Sequence, residues 1–250
     1  MVNYNDQLPA AVSAITIAVD GHSGSGKSTM AKTLASRLGY LFVDTGAMYR
    51  AVTLYAMRHE MLLTDTHTVD ETALPAAIGQ IEITFVTDEN GKRCTHLNGE
   101  NVEAEIRSTA IASWVSQIAA LPFVRTRLVA LQQAMGQHGG VVMDGRDIGT
   151  VVFPHAELKV FVTADLEARA ERRLRQNQSK GDMRDTYEVI LENLKQRDFT
   201  DEHRPVGPLR LTDEYLLLDN THLTEQQQND LLFLFAKAAI VAADKTRKKS

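Results

Sequence analysis

The chain has 250 residues, 44% hydrophobic and 24% charged, the composition of a globular protein long enough to bury a core without disulfide or metal staples. Its single cysteine, Cys94, excludes an intramolecular disulfide and a clustered-thiolate zinc site, so a reducing cytoplasm is the expected compartment. A net charge of −5 argues against an extended nucleic-acid partner, no apolar run approaches the ~18 residues of a membrane span, and the opening MVNYNDQLPAAVSA lacks the basic-then-apolar order of a secretory leader.

Short apolar runs bounded by turn residues predict five strands, at 15–20, 40–44, 141–144, 158–163 and 215–219. Several are apolar on both faces, as buried parallel strands are, which makes the fold α/β. After the first strand, Met30, Leu34 and Leu38 recur at helical spacing and Gly39 supplies the stop. Residues 64–107 break the alternation: IEITFV and KRCTHLNGENV flank a turn-rich DENG and predict an inserted antiparallel hairpin. Two helices are expected over 108–120 and 122–137, parted near Pro122, then two more near 165–178 and 184–198. A loop, HRPVGP, follows, and a last helix starts at Thr224, whose spacing to Gln227 is that of a capping box.

The segment between the first strand and its helix reads DGHSGSGKST, in which Gly21, Gly26, Lys27 and Ser28 satisfy G-x-x-x-x-G-K-[ST] in the required strand–loop–helix context. Glycines at 21, 24 and 26 let backbone N–H groups turn inward, so that Gly21, His22, Ser23, Gly24, Ser25, Gly26, Lys27, Ser28 and Thr29 are expected to cradle a nucleotide's phosphates. Lys27 is expected against the β- and γ-phosphates, and the Ser28 hydroxyl on Mg²⁺.

Three further constellations lie where strands end, the usual ligand edge of an open α/β sheet. DTGAMYR places Asp44, Thr45 and Gly46 at a helix N-terminus with Tyr49 and Arg50 one turn in. VVMDGRD ends a strand with Asp144, Gly145, Arg146 and Asp147, a metal-side carboxylate followed by an anion clamp beside a hydrogen-bond acceptor. In DLEARAERRLRQ, Arg169, Arg172 and Arg173 share a helix face, expected to close as a lid on the triphosphate. Arg197, Asp201 and Arg204 cluster at the exit of the following helix. The bland alternatives are a capped helix, a strand-ending turn with an internal ion pair and a solvated charged helix.

DGHSGSGKST, DTGAMYR, WVSQIAALPFVR, DGRDIGTVVFP, ARAERR and RDFTDEHR, in this order over nearly the whole chain, resemble the bacterial cytidylate kinase family. The phosphate loop is shared by many NTPases; DTGAMYR and DGRDIGTVVFP are far more specific. The resemblance implies one nucleoside monophosphate kinase domain over 1–250. A five-stranded parallel core flanked by helices would comprise residues 14–63, 138–163 and 212–243, with an NMP-binding insert over 64–110 and a lid over 164–184. It implies ATP- and Mg²⁺-dependent phosphorylation of CMP and dCMP; a monomer is expected, with neither nucleic acid nor membrane as partner. Lys27, Arg146, Arg169, Arg172 and Arg173 are the implied catalytic residues. Family contacts to the acceptor fall on Thr45, Arg50, Ser116, Arg125, Arg146, Asp147, Arg197, Asp201 and Arg204. Of these, Arg50 and Arg146 are assigned to the acceptor phosphate and Ser116, Arg125 and Asp147 to the cytosine edge. Arg197, Asp201 and Arg204 are assigned to pentose and phosphate.

Cytosine presents an amine donor beside the N3 and O2 acceptors, so a carboxylate with Arg and hydroxyl donors is a matched set that uracil would leave partly unpaired. His22 stands where the family usually has proline and receives no catalytic role; Thr45 stands where serine is common and keeps the hydroxyl. Trp114 and Cys94 read as packing residues, and KTRKKS as a solvated tail. The alternatives are a P-loop kinase for UMP, AMP or a non-nucleotide alcohol, or a regulatory P-loop NTPase. The nine cations at 27, 50, 125, 146, 169, 172, 173, 197 and 204, taken from 27, leave 18 against 32 acids, so a cationic crevice is expected within an acidic remainder.

Overall fold

The computed structural model describes residues 14–89, 93–179, 181 and 184–248, and its elements follow the expected alternation. The chain runs β1 (Thr16–Gly21), α1 (Lys27–Leu38), β2 (Leu41–Asp44) and α2 (Thr45–Arg58), then the short pair β3 (Leu62–Leu63) and β4 (Thr68–Val69). The chain continues with α3 (Ala73–Ala77), β5 (Ile83–Thr87), β6 (Arg93–Leu97) and β7 (Glu100–Asn101), followed by α4 (Thr109–Ala120) and α5 (Pro122–Gly136). Then come β8 (Val141–Gly145), a π-turn over Ile148–Val152, β9 (Leu158–Thr163), α6 (Leu166–Ser179), α7 (Tyr187–His203), β10 (Leu216–Asp219) and α8 (Glu225–Arg247).

The five predicted strands form one parallel sheet in the order β10-β9-β1-β8-β2. From the centre, the connection after β1 leads to β2 on one side and that after β8 leads to β9 on the other. The divergence opens a crevice above the carboxyl ends of β1 and β8. Alternation along β1 divides the core: Ile17 and Val19 pack with Leu34 and Ile240 beneath α1 and α8, whereas Ala18 faces the cluster of Val52, Leu54 and Leu128 on α2 and α5.

Local signals set the ends. Gly39 closes α1 in the left-handed region (φ 67°), its N–H reaching the carbonyls of Ala35 and Ser36. Thr224 and Gln227 make the reciprocal capping box of α8. The expected hairpin is β5–β6, in register from Ile83 opposite Leu97 to Thr87 opposite Arg93. It packs Ile83 and Leu97 into the same cluster as α2. Residues 90–91 of its DENG turn, residues 180, 182 and 183 of the expected lid, and the last two residues of KTRKKS lie outside the described residues.

The structure corrects one boundary. The helix expected to end near 198 runs on to His203, because 199–203 contain no breaker and the stop comes at Arg204, held extended by the proline after it. Asp201 is therefore a helical residue. Trp114 and Cys94 are buried. Among the described residues no helix is long and apolar enough to cross a membrane.

Candidate active site

At the carboxyl end of β1 the chain can turn only as glycine. A Cβ on Gly21 (φ 147°) would stand 2.0 Å from the Val162 carbonyl oxygen, and Gly24 and Gly26 adopt φ of 76° and 83°. Outer groups hold the loop open: the Ser25 hydroxyl donates to the His22 carbonyl at 3.0 Å, Asn220 Nδ2 to the Ser25 carbonyl at 2.7 Å, and Arg169 to the Ser23 carbonyl at 3.0 Å. Lys27 Nζ donates back to the His22 carbonyl at 3.2 Å. Burial, reinforced by Arg146, pushes the Lys27 ammonium down to about 7, so this site favours an arriving anion.

Ser28 Oγ donates to Asp144 Oδ2 at 2.5 Å, across from α1 to the end of β8. Asp144 Oδ1 is buried without a hydrogen-bond partner, and burial, with Asp44 nearby, pushes its carboxyl up to about 7. A hydroxyl and a carboxylate with a spare oxygen beside a phosphate loop are the hard-oxygen donors that fit Mg²⁺.

On the facing side, Asp44 caps α2 by accepting from the Ala47 N–H at 3.0 Å and pairs with Arg107 at 2.8 Å. The Thr45 hydroxyl donates to the Asp144 carbonyl at 2.7 Å, which fixes the start of α2 to β8. Arg50 reaches the Ile106 carbonyl at 3.2 Å; burial, then Arg197 and Arg107, pushes it down to about 10. Arg146 bonds Asp201 at 2.7 Å. Arg197 is lowered by burial and then by Arg146, and its Nε is buried without a partner. Behind these, buried Arg125 pairs with Asp147, and Arg204 lies 3.5 Å from Asp147 and 3.6 Å from Asp201.

These groups surround one cleft of about 660 Å³. Of the residues expected from sequence, Ser23, Gly24, Lys27, Ser28, Thr45, Arg50, Ser116, Arg146, Asp147, Arg173, Arg197, Asp201 and Arg204 line it. Gly21, His22, Ser25, Gly26 and Thr29 shape the loop behind, and Arg125 reaches the cleft through Asp147.

The three arginines expected in a lid do not point to one side. Arg169 is buried against Asp198 at 2.6 Å, besides its bonds to the Ser23 and Ala164 carbonyls. Arg172 donates to Asn220 Oδ1 at 2.9 Å and to the carbonyls of Asn220 at 2.6 Å and Thr221 at 3.2 Å. Both guanidiniums are taken up beside the phosphate loop, Arg169 by Asp198 and the Ser23 and Ala164 carbonyls and Arg172 by the Asn220 side chain and the carbonyls of the β10–α8 turn. Arg173, whose Nη1 donates to the nearby Gln176 Oε1 at 3.2 Å, opens into the cleft.

Sequence reasoning missed the supports. Asp20, wholly buried at the end of β1, accepts from the N–H groups of Ile148 at 2.9 Å and Gly149 at 2.8 Å and from the Tyr215 hydroxyl at 2.7 Å. It thereby anchors the turn that presents Arg146 and Asp147, although burial raises its carboxyl. The available signal was an acid closing an apolar strand just before the first loop glycine. Asn220, also wholly buried, ties the phosphate loop to Arg172 and, at 2.7 Å, to Gln228 of α8.

The family model "Cytidylate kinase" matches residues 17–236. A cytidylate kinase of Bacteroides thetaiotaomicron is 54% identical over 219 residues, covering 87% of this chain and 94% of its own. One from Parabacteroides distasonis is 54% identical over 226 residues (90% and 97%), and one from Bacteroides fragilis 53% over 229 (91% and 99%). Among solved structures, a shikimate kinase of Bacteroides thetaiotaomicron aligns over 94% of this chain and 99% of its own at a TM-score of 0.40 and 10% identity, too distant to bear on function.

Proposed function

The chain belongs to the cytidylate kinase family, and from that premise we propose that its cleft transfers the γ-phosphoryl group of ATP to CMP or dCMP, giving ADP and CDP or dCDP. The observation that carries this reading is the convergence of two cationic groups on one cleft: Lys27 with the phosphate loop on one side, Arg50, Arg146 and Arg197 on the other.

An oxygen of the acceptor phosphate forms the new bond to the γ-phosphorus as the bond to the ADP oxygen breaks. The acceptor is already anionic, so no general base is required, and the residues act by alignment and charge neutralisation. On the donor side, loop N–H groups at the N-terminus of α1 and Lys27 hold the phosphates. Mg²⁺ bound at Ser28 and Asp144 would supply further neutralisation of the phosphate oxygens. Arg50 and Arg146 hold the acceptor phosphate, and Arg197, Asp201 and Arg204 hold pentose and phosphate. Asp147 accepts from the cytosine amine, with Arg125 and Ser116 as the complementary donors. Arg173 is the lid residue that reaches the transferred group, while Arg169 and Arg172 position the loop on which it depends. The proposed parts are the core (14–63, 138–163, 212–243), the insert (64–110) and the lid (164–184), with Ser116, Arg125, Arg197, Asp201 and Arg204 in the segments between them. A lone cysteine suits the cytoplasm.

The assignment is tested by measuring ADP release from Asp201→Asn. Losing a charge-assisted bond raises KM for CMP roughly 10-fold or more, with KM for ATP within about twofold. An equal rise in both constants would remove Asp201 from the acceptor side.

A further inference from the structure

His22 commits its two ends to different sides of the cleft. Its carbonyl accepts from Lys27 Nζ at 3.2 Å and from Ser25 Oγ at 3.0 Å, within the phosphate loop. Its ring leaves the loop: Nε2 lies 2.8 Å from Glu202 Oε1, and the ring meets Phe161 edge-on at 5.6 Å. Nδ1 sits 3.4 Å from the Thr163 hydroxyl. The contact is partly sheltered, with the side chains 19% and 42% exposed.

Glu202 follows Asp201 on the last turn of α7, and Asp201 bonds Arg146 at 2.7 Å and lies 3.6 Å from Arg204. The His22–Glu202 contact therefore joins the loop proposed for the donor's phosphates to the helix turn proposed for the acceptor. A proline at 22 could offer the carbonyl but no hydrogen-bonding ring. We propose that His22 and Glu202 are a positioning pair that couples the two substrates, so that filling the acceptor side fixes the phosphate loop and tightens donor binding. Coupling of this kind is reciprocal: the donor tightens the acceptor by the same factor. It rests on the acceptor assignment of Asp201.

The test is calorimetric titration of the protein with the non-hydrolysable donor AMP-PNP and Mg²⁺, with and without saturating CMP. Wild type binds AMP-PNP more tightly in the presence of CMP, and Glu202→Ala reduces that enhancement by about two- to fivefold, the scale of a partly exposed pair. His22→Ala reduces it equally, and the double variant loses no more than either single one. A wild-type enhancement of one, an enhancement unchanged in Glu202→Ala, or additive losses in the double variant would each overturn the proposal. Glu202 is exposed at the helix end, and a melting curve for each variant establishes that it is folded. Failure of the acceptor assignment shows separately, as unaltered CMP affinity in Asp201→Asn.

Discussion

Replacing Asp147 with alanine should damage the fold as well as the chemistry. Asp147 is 5% exposed and faces two guanidiniums, Arg125, itself 2% exposed, and Arg204 at 3.5 Å. Arg125 Nε already lacks a partner, and its remaining bond is to the Ala119 carbonyl at 3.2 Å. Deleting the acid strands a buried charge, which costs about 3–5 kcal/mol. For a chain of this size each kcal/mol moves the melting temperature by about 2–4 °C, so a fall of roughly 6–20 °C is expected. Urea unfolding followed by far-ultraviolet circular dichroism gives the free energy, and ADP release with CMP gives the activity of the folded fraction. Asp147→Asn, which keeps an acceptor oxygen without the charge, should fall between alanine and wild type in stability. A loss below about 1 kcal/mol for Asp147→Ala would refute the view that this acid compensates Arg125.

Further predictions bear on Asp144 and on the arginines of α6. Burial raises the Asp144 carboxyl from 3.8 to about 7, so the folded state keeps a proton that the unfolded chain has released between those values. Stability from this group is full below about pH 4 and is lost as pH rises through 7. Asp144→Asn should therefore melt higher than wild type at pH 8, with the advantage fading towards pH 4.5, and should release almost no ADP at either pH. An equal difference in melting temperature at both pH values would contradict the burial argument. Arg173→Ala should lower kcat by about 10-fold or more with little change in KM for ATP. Arg172→Ala should instead raise KM for ATP, because three bonds to the Asn220–Thr221 turn are lost; the reverse pattern in steady-state ADP release would exchange the two roles.

Much of this architecture is legible in residue order. Five apolar runs, four of them ending in aspartate, marked the sheet, and the phosphate loop announced itself because its backbone needs glycine at fixed places, as the 2.0 Å approach at Gly21 makes physical. What escaped was of two kinds. Elements of two residues, such as β3 and β4, carry no periodicity, and the π-turn at Ile148–Val152 depends on Asp20, 128 residues away from Ile148. Charge on a helix face also does not tell where it points. Arg169, Arg172 and Arg173 look equivalent by spacing, yet carbonyls and side chains around the phosphate loop capture two of them and leave the third to the cleft. The end of α7 at Arg204 could have been read from the following Pro205, and with it the helical placement of Asp201 beside Arg146.

The central claim is that Asp147, just beyond β8, with Arg125 of α5 and Ser116 of α4, selects cytosine. The measurement that bears on it most directly is kcat/KM for ADP release with ATP, Mg²⁺ and each of CMP, dCMP, UMP, AMP and GMP. A site built on buried hydrogen bonds should favour CMP and dCMP over the purine nucleotides by about 10⁴-fold, with UMP between, because uracil reverses the polarity only at position 4 and N3. Turnover of AMP or GMP as fast as CMP would contradict it.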